Sequence, residues 1–190
     1  DKADLSTVPI NSKDEIGTLS RVLTSTYEKI QEYTAYINAL AYRDSLTGLK
    51  NSTAYAEVVA DLNKEICCSN TQFGVIVADI NNLKKTNDKY GHDVGNELII
   101  HTAKLLSSVF KGSTVFRIGG DEFVVLLKGK DLDNYHSLLK EFSDACRDDC
   151  ITVIDDKIPI SIATGAAVFD PSIDTVYESV FSKADHAMYM

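Results

Sequence analysis

Apolar or hydrophobe-compatible side chains recur at Ile16, Leu19, Leu23, Thr26, Ile30, Tyr33, Ile37 and Leu40, with spacings that alternate three and four. A heptad period held over that length predicts one long helix whose seam pairs with a second copy as a parallel coiled coil; the alternative is a helix packed on its own domain. Beyond residue 41 the pattern changes. Residues 52–68 place Ala54, Val58, Leu62 and Ile66 on one helical face, with Ser52 as N-cap. Residues 73–79 form a β-branched run that ends in Asp79, and residues 95–110 read as a helix with Leu98, Ile99, Ala103, Leu106 and Val109 inside. Two strand-like runs, 113–118 and 123–127, flank a Gly-led turn and predict a tight hairpin. A helix over 133–150, a strand over 158–168 beginning near Pro159, and a helix over 176–190 complete the order. The β-α-β-β-α-β succession predicts an α+β fold, a ferredoxin-like (split βαβ) antiparallel sheet with helices on one face, preceded by the long N-terminal helix.

The turn of the hairpin carries Gly119-Gly120-Asp121-Glu122, two adjacent carboxylates where a turn usually needs only flexibility and solubility. A second acid, Asp79, closes the buried run 75–78. Acids at a strand end and at a neighbouring hairpin can converge on one divalent cation, because Mg²⁺ takes a few carboxylates together with substrate phosphates. Each acid alone also reads as a solvated turn or a capped strand end. No Gly-x-x-x-x-Gly-Lys-Ser/Thr loop is present to cradle a triphosphate. Backbone N–H groups at the start of a short helix over 82–89 are the alternative anion site, with Lys84 directed at the phosphates or left as a plain surface lysine.

Composition narrows the partners. In 190 residues there are 19 basic and 28 acidic side chains, a net charge of −9, which argues against a nucleic acid polymer as ligand and leaves a small nucleotide carried with Mg²⁺ compatible. The 44% hydrophobic content suffices for a core. Cys67, Cys68, Cys146 and Cys150 are not spaced as a zinc knuckle or a disulfide framework, so reduced thiols are expected. No run of about 18 apolar residues and no leader pattern occurs, so no membrane contact is expected of this segment. The sequence reads as a fragment of a longer protein.

Five ordered motifs then resemble the GGDEF family, the diguanylate cyclases, over residues 42–190. They are Arg43-Asp44-Ser45-Leu46-Thr47-Gly48-Leu49-Lys50-Asn51; Asp79-Ile80-Asn81-Asn82-Leu83-Lys84; Asn87-Asp88-Lys89-Tyr90-Gly91-His92-Asp93-Val94-Gly95; Arg117-Ile118-Gly119-Gly120-Asp121-Glu122-Phe123; and Ala184-Asp185-His186-Ala187-Met188-Tyr189. The segment Asp14-Glu15-Ile16-Gly17-Thr18-Leu19 resembles the end of a HAMP module, so residues 1–41 are expected to be a HAMP-like end plus signalling helix. That resemblance implies a membrane span upstream, with the full-length protein anchored in the bacterial inner membrane and this part cytoplasmic.

The resemblance implies condensation of two GTP into cyclic di-GMP with release of two pyrophosphates, regulated by dimerisation, with Mg²⁺ or Mn²⁺ as cofactor. By the same likeness Asp79, the Ile80 carbonyl, Asp121 and Glu122 hold the metal, Asp121 and Lys84 serve catalysis, and Asn87, His92 and Asn96 read guanine. The sequence departs from the family at four places. Asn96 stands where the family usually has Asp, which weakens a charge-assisted pair to guanine and opens the reading of a cyclase with relaxed base choice. Ser52-Thr53 replace two arginines. Phe110-Lys111-Gly112-Ser113 replace the Arg-x-x-Asp of the product-inhibition site. The family's phosphate-binding Lys and Arg follow the Ala-Asp-x-Ala-x-Tyr stretch, after which this sequence stops. A further reading stays open, a catalytically degenerate GGDEF domain that binds GTP or another ligand as a regulatory module.

Overall fold

The computed structural model describes residues 15–68, 71–153 and 156–189. The chain divides into two compact units, residues 1–41 and 42–190. Residues 1–14, which include Asp14 of the HAMP-like stretch, lie outside the described residues.

Helix α1 (Glu15–Tyr42) runs unbroken for 28 residues, about 42 Å at 1.5 Å per residue. Every apolar seam residue from Ile16 to Leu40 is more than half exposed, from 55% at Ile30 to 68% at Tyr33.

In the second unit, four antiparallel strands form one sheet in the order β2-β3-β1-β6: β1 (Gly74–Ile80), β2 (Thr114–Arg117), β3 (Glu122–Leu127) and β6 (Ile162–Val168). Helices α2 (Ser52–Cys67) and α4 (His92–Val109), the short α3 (Leu83–Tyr90), and α5 (Gly129–Asp133), α6 (Tyr135–Asp148) and α7 (Tyr177–Met188) are joined to it. The central strand is buried at every position except Asp79. Residues 75–78 are apolar without alternation, so both faces of β1 need cover. On one face Ile76, Ala78 and Ile80 meet Leu98, Ala103 and Leu106 of α4 and Phe142 and Cys146 of α6. On the other, Val75 and Val77 meet Ala54 and Leu62 of α2 and Tyr177, Val180 and Ala184 of α7. Helices therefore flank both faces, and the expectation of one covered face is corrected. The approach of α7 is close: a Cβ on Gly165 of β6 would lie 2.1 Å from the Ala184 carbonyl oxygen, so only glycine lets the helix backbone rest there.

Two further boundaries differ from the sequence reading. The expected helix over 133–150 is found as α6, and the chain just ahead of it is divided off at Asn134: the short α5, which the sequence reading left out, ends there, and the Asn134 side-chain amide donates to the Lys130 carbonyl (2.9 Å). The expected single strand over 158–168 is also divided. Its first part belongs to a separate two-stranded sheet of β4 (Cys150–Val153) and β5 (Asp156–Pro159), and β6 begins only at Ile162. Between them the Ser161 carbonyl accepts the Asn81 N–H (2.9 Å), which draws the chain across to the end of β1.

Candidate functional site

At the C-terminal end of β1 the sheet register sets Asp79 directly opposite Glu122, the first residue of β3. Partners directly opposite in an antiparallel pair share a face and lie close enough to interact. The Ile80 N–H donates to the Asp121 carbonyl (3.2 Å), so the hairpin tip is stitched to the end of β1. The structure thus brings Asp79, Ile80, Asp121 and Glu122 together. The Ile80 side chain is core, which leaves the main-chain carbonyl as its polar group at the site.

Electrostatics mark the spot. Partial burial, and then the charges of Asp121 and Glu122, push the Asp79 carboxyl above the usual carboxylate range. Crowded carboxylates of this kind are what a divalent cation relieves, and a donor set made only of oxygen suits a hard ion. Among the described residues no three His, Cys, Asp or Glu side chains close into a metal cage. The arrangement fits an ion that keeps most of its shell for water and substrate phosphate, as Mg²⁺ does.

Helix α3 starts three residues beyond Ile80, after Asn82, which adopts the left-handed conformation (φ 60°). That turn lets the chain reverse at once from strand to helix, and its first N–H groups stand beside the acids in sequence. Lys84, in the first turn of α3, is exposed and makes no hydrogen bond or ion pair among the described residues. Further along, the Asn87 side chain lies against Gly95 of α4, where a Cβ would fall 1.8 Å from Asn87 Oδ1. That oxygen is buried with no hydrogen-bond partner among the described residues. His92 and Asn96 are exposed and four apart in α4, hence on one helical face beside Gly95. Asn87, His92 and Asn96 accordingly gather where α3 meets α4.

A second set of contacts was not predicted. The Asp44 carboxylate accepts from the Thr47 N–H (2.9 Å) and hydroxyl (2.6 Å), closing the Leu-Thr-Gly turn, and also from Arg117 Nη1 at 2.9 and 3.1 Å. Burial alone would raise its pKa, but the Thr47 and Arg117 bonds outweigh burial and hold it below the usual range. Arg117 Nη2 donates to the Gly120 carbonyl (2.8 Å), on the hairpin tip itself. The signal in the sequence was Arg117 placed two residues before the Gly-Gly turn.

Where the family carries Arg-x-x-Asp, Phe110 is buried at 1% exposure with its ring 6.1 Å from that of Phe142. Gly112 N–H and the Ser113 hydroxyl both donate to Asp131 (2.9 and 2.8 Å). The corner is filled by the chain's own side chains.

Among the described residues no helix is long and apolar enough to cross a membrane. The profile of the family described as "Diguanylate cyclase, GGDEF domain" matches residues 41–190. The biofilm architecture maintenance protein MbaA of Vibrio cholerae is 30% identical over 95% of this chain and 24% of its own length. Diguanylate cyclase DgcS of Shewanella oneidensis is 30% identical over 80% of this chain and 53% of its own, and DgcP of Escherichia coli 29% over 85% and 48%. The chain thus spans between a quarter and about half of the length of these curated relatives. Among solved structures, the coiled coil and GGDEF domain of DgcB from Caulobacter crescentus superposes with a TM-score of 0.76 at 22% identity, covering 93% of each chain. A sensory box/GGDEF family protein of the same organism gives 0.65 at 26% identity, over 78% of this chain and 96% of that one. With a family profile matching residues 41–190 and the acids of its signature assembled at one strand end, the chain belongs to the GGDEF-domain diguanylate cyclase family.

Proposed function

We propose that residues 42–190 condense two GTP into cyclic di-GMP and two pyrophosphates, as the output domain of a signalling protein that acts as a homodimer through α1. The observation that carries this reading is the convergence of Asp79, Asp121 and Glu122 at the joined ends of β1 and β3, beside the start of α3. In each half-reaction a ribose 3′-oxygen forms a bond to the other nucleotide's α-phosphorus while the bond to the β-phosphate oxygen breaks and pyrophosphate leaves. Asp79, Asp121, Glu122 and the Ile80 carbonyl would hold Mg²⁺ or Mn²⁺, which, when bound, supplies a lower hydroxyl pKa and neutralises charge on the leaving group. Asp121 orients the attacking hydroxyl and takes its proton as the new oxygen–phosphorus bond forms. Lys84 and the first N–H groups of α3 meet the phosphates, a role supported by its exposed, unpartnered ammonium and the helix dipole.

Asn87, with a buried acceptor that lacks a donor among the described residues, is suited to the N–H edge of a base, and the exposed His92 and Asn96 on α4 would complete the contacts to that base. Each protomer binds one nucleotide, so two must face each other, and pairing of α1 raises the local concentration of half-sites. The family assignment and the absence of a spanning helix among the described residues are compatible with a cytoplasmic placement, with any membrane anchor elsewhere in a longer protein.

A second reading is favoured by Asn96. Its exposed neutral amide offers donors as well as an acceptor, so discrimination against adenine is looser than a carboxylate would give. Incubation with Mg²⁺ and GTP, ATP or both, with products identified by mass, separates a cyclic di-GMP synthase from a mixed dinucleotide synthase. It also separates both from a module that binds nucleotide without consuming it.

A further inference from the structure

The catalytic acid Asp121 sits on a turn, and turns are mobile unless something outside them fixes their backbone. Here the fixing group is identifiable. The Arg117 side chain is only 12% exposed and uses one fork for two purposes: Nη1 engages both oxygens of Asp44 and Nη2 engages the Gly120 carbonyl. Its Nε is buried without a partner, so the guanidinium spends its donors on these two targets. Asp44 is itself held, by Thr47 through two bonds and by the main-chain bonds Asp44 N–H to Leu49 and Gly48 N–H to Asp44. The Arg117 N–H donates to the Lys50 carbonyl (2.9 Å), which anchors the base of the side chain to the same turn. On the far side of the tip, the next peptide carbonyl, that of Asp121, is held by the Ile80 N–H.

We infer that Arg117 is a positioning residue: supported by Asp44, it fixes the Gly120–Asp121 peptide and so sets where the Asp121 carboxylate stands relative to Asp79. The inference rests on the functional reading given above only in so far as Asp121 is catalytic; the positioning itself is independent of it. The same tie connects Asp44 to the peptide that carries Asp121. The planar fork is essential to this role, because a lysine ammonium is a point donor that cannot span Asp44 and Gly120 in the same geometry.

Arg117→Lys keeps the charge and removes the fork; Asp44→Asn keeps the shape and removes the charge pair, and it serves if the first variant folds poorly. Two readouts are taken on the whole chain. Hydrogen exchange followed by NMR should show the Ile80 amide, which bonds to Asp121, exchanging about tenfold faster or more, the size expected for losing one charge-assisted restraint. The amides of Ile76 and Val77, inside the same strand, should be unchanged. Steady-state kinetics should show kcat for GTP condensation lowered about tenfold or more with KM within about threefold. An Ile80 amide as protected as in the wild type, or Ile76, Val77 and Ile80 all accelerated together, would overturn the inference, the latter by showing a general loss of stability. Unchanged kcat in an active background would overturn it as well. If the wild-type protein itself forms no cyclic dinucleotide, it is the functional reading that fails, and the amide exchange still decides the positioning claim.

Discussion

Asp79 has opposite effects on folding and on the proposed chemistry. Its carboxyl is raised above the ordinary value by burial and by the charges of Asp121 and Glu122. A raised acid binds its proton more tightly in the folded than in the unfolded state. Its favourable contribution is therefore present at low pH and is lost as pH rises through the folded pKa. At neutral pH the charged Asp79 destabilises the fold. Asp79→Asn should then raise the melting temperature at pH 7 while abolishing turnover, and the gain should shrink as pH falls through the acidic range. Mg²⁺ should stabilise the wild type by an amount that grows with its concentration, about 2.7 kcal/mol at a hundredfold excess over Kd, and should do much less for the variant. A lower melting temperature for Asp79→Asn at pH 7 would mean that the residue caps the strand end and does not hold a cation. Gly95 gives a second residue-scale test. Adding the Cβ drives into Asn87 Oδ1, which must swing away from its place against α4. Gly95→Ala should raise KM for GTP by about tenfold or more, the cost of one lost hydrogen bond to substrate, with the fold retained by circular dichroism. An unchanged KM would show that Asn87 does not read the base.

At the scale of elements, α1 carries the regulatory prediction. Its seam residues Ile16, Leu19, Leu23, Ile30, Tyr33, Ile37 and Leu40 are all exposed in the single chain, and placing Lys at both Ile30 and Ile37 should abolish pairing and lower activity. Analytical ultracentrifugation that finds an unchanged dimer, or a monomer with full activity, would remove the role of α1. The same helix was plainly legible in the sequence because its period persists over many turns. The strand at 73–79, the hairpin around Gly119-Gly120 and the helix near Ser52 were legible too, since each has a strong local pattern, although the cap is Asn51, whose side chain accepts the Ala54 N–H, and Ser52 is the first helical residue. The two faces of the sheet were misread, although the unbroken apolar run 75–78 already implied cover on both sides. The small β4–β5 sheet was missed because two strands of four residues each carry no alternation long enough to register, and Pro159 sits at the end of the second. Helix α5 was missed because five residues are too few to show a helical period. Among the site residues, Asp79, Asp121 and Glu122 could be named from strand ends and a turn. The tie from Asp44 to Arg117 could not, because it joins side chains 73 residues apart, and the position of Arg117 ahead of the Gly-Gly turn does not name its partner.

For the whole molecule, the sheet works as a frame that brings distant sequence to one end. Asp79 arrives at the end of the central strand, the hairpin folds back beside it, and α3 leaves from the same point. Burial on both faces makes this frame rigid, while the hairpin tip depends on specific polar ties for its position. The corner at Phe110, Gly112 and Ser113 is tied to Asp131 by the chain's own groups. The central claim is the reaction itself. Purified protein incubated with Mg²⁺ and equimolar GTP and ATP, with products resolved by mass spectrometry and pyrophosphate quantified, tests it in one measurement. The account predicts a cyclic dinucleotide that contains guanine, two pyrophosphates per molecule formed, and no product when Asp121 is replaced by Asn. Nucleotide bound but recovered intact, or equal turnover by the Asp121→Asn variant, would contradict it.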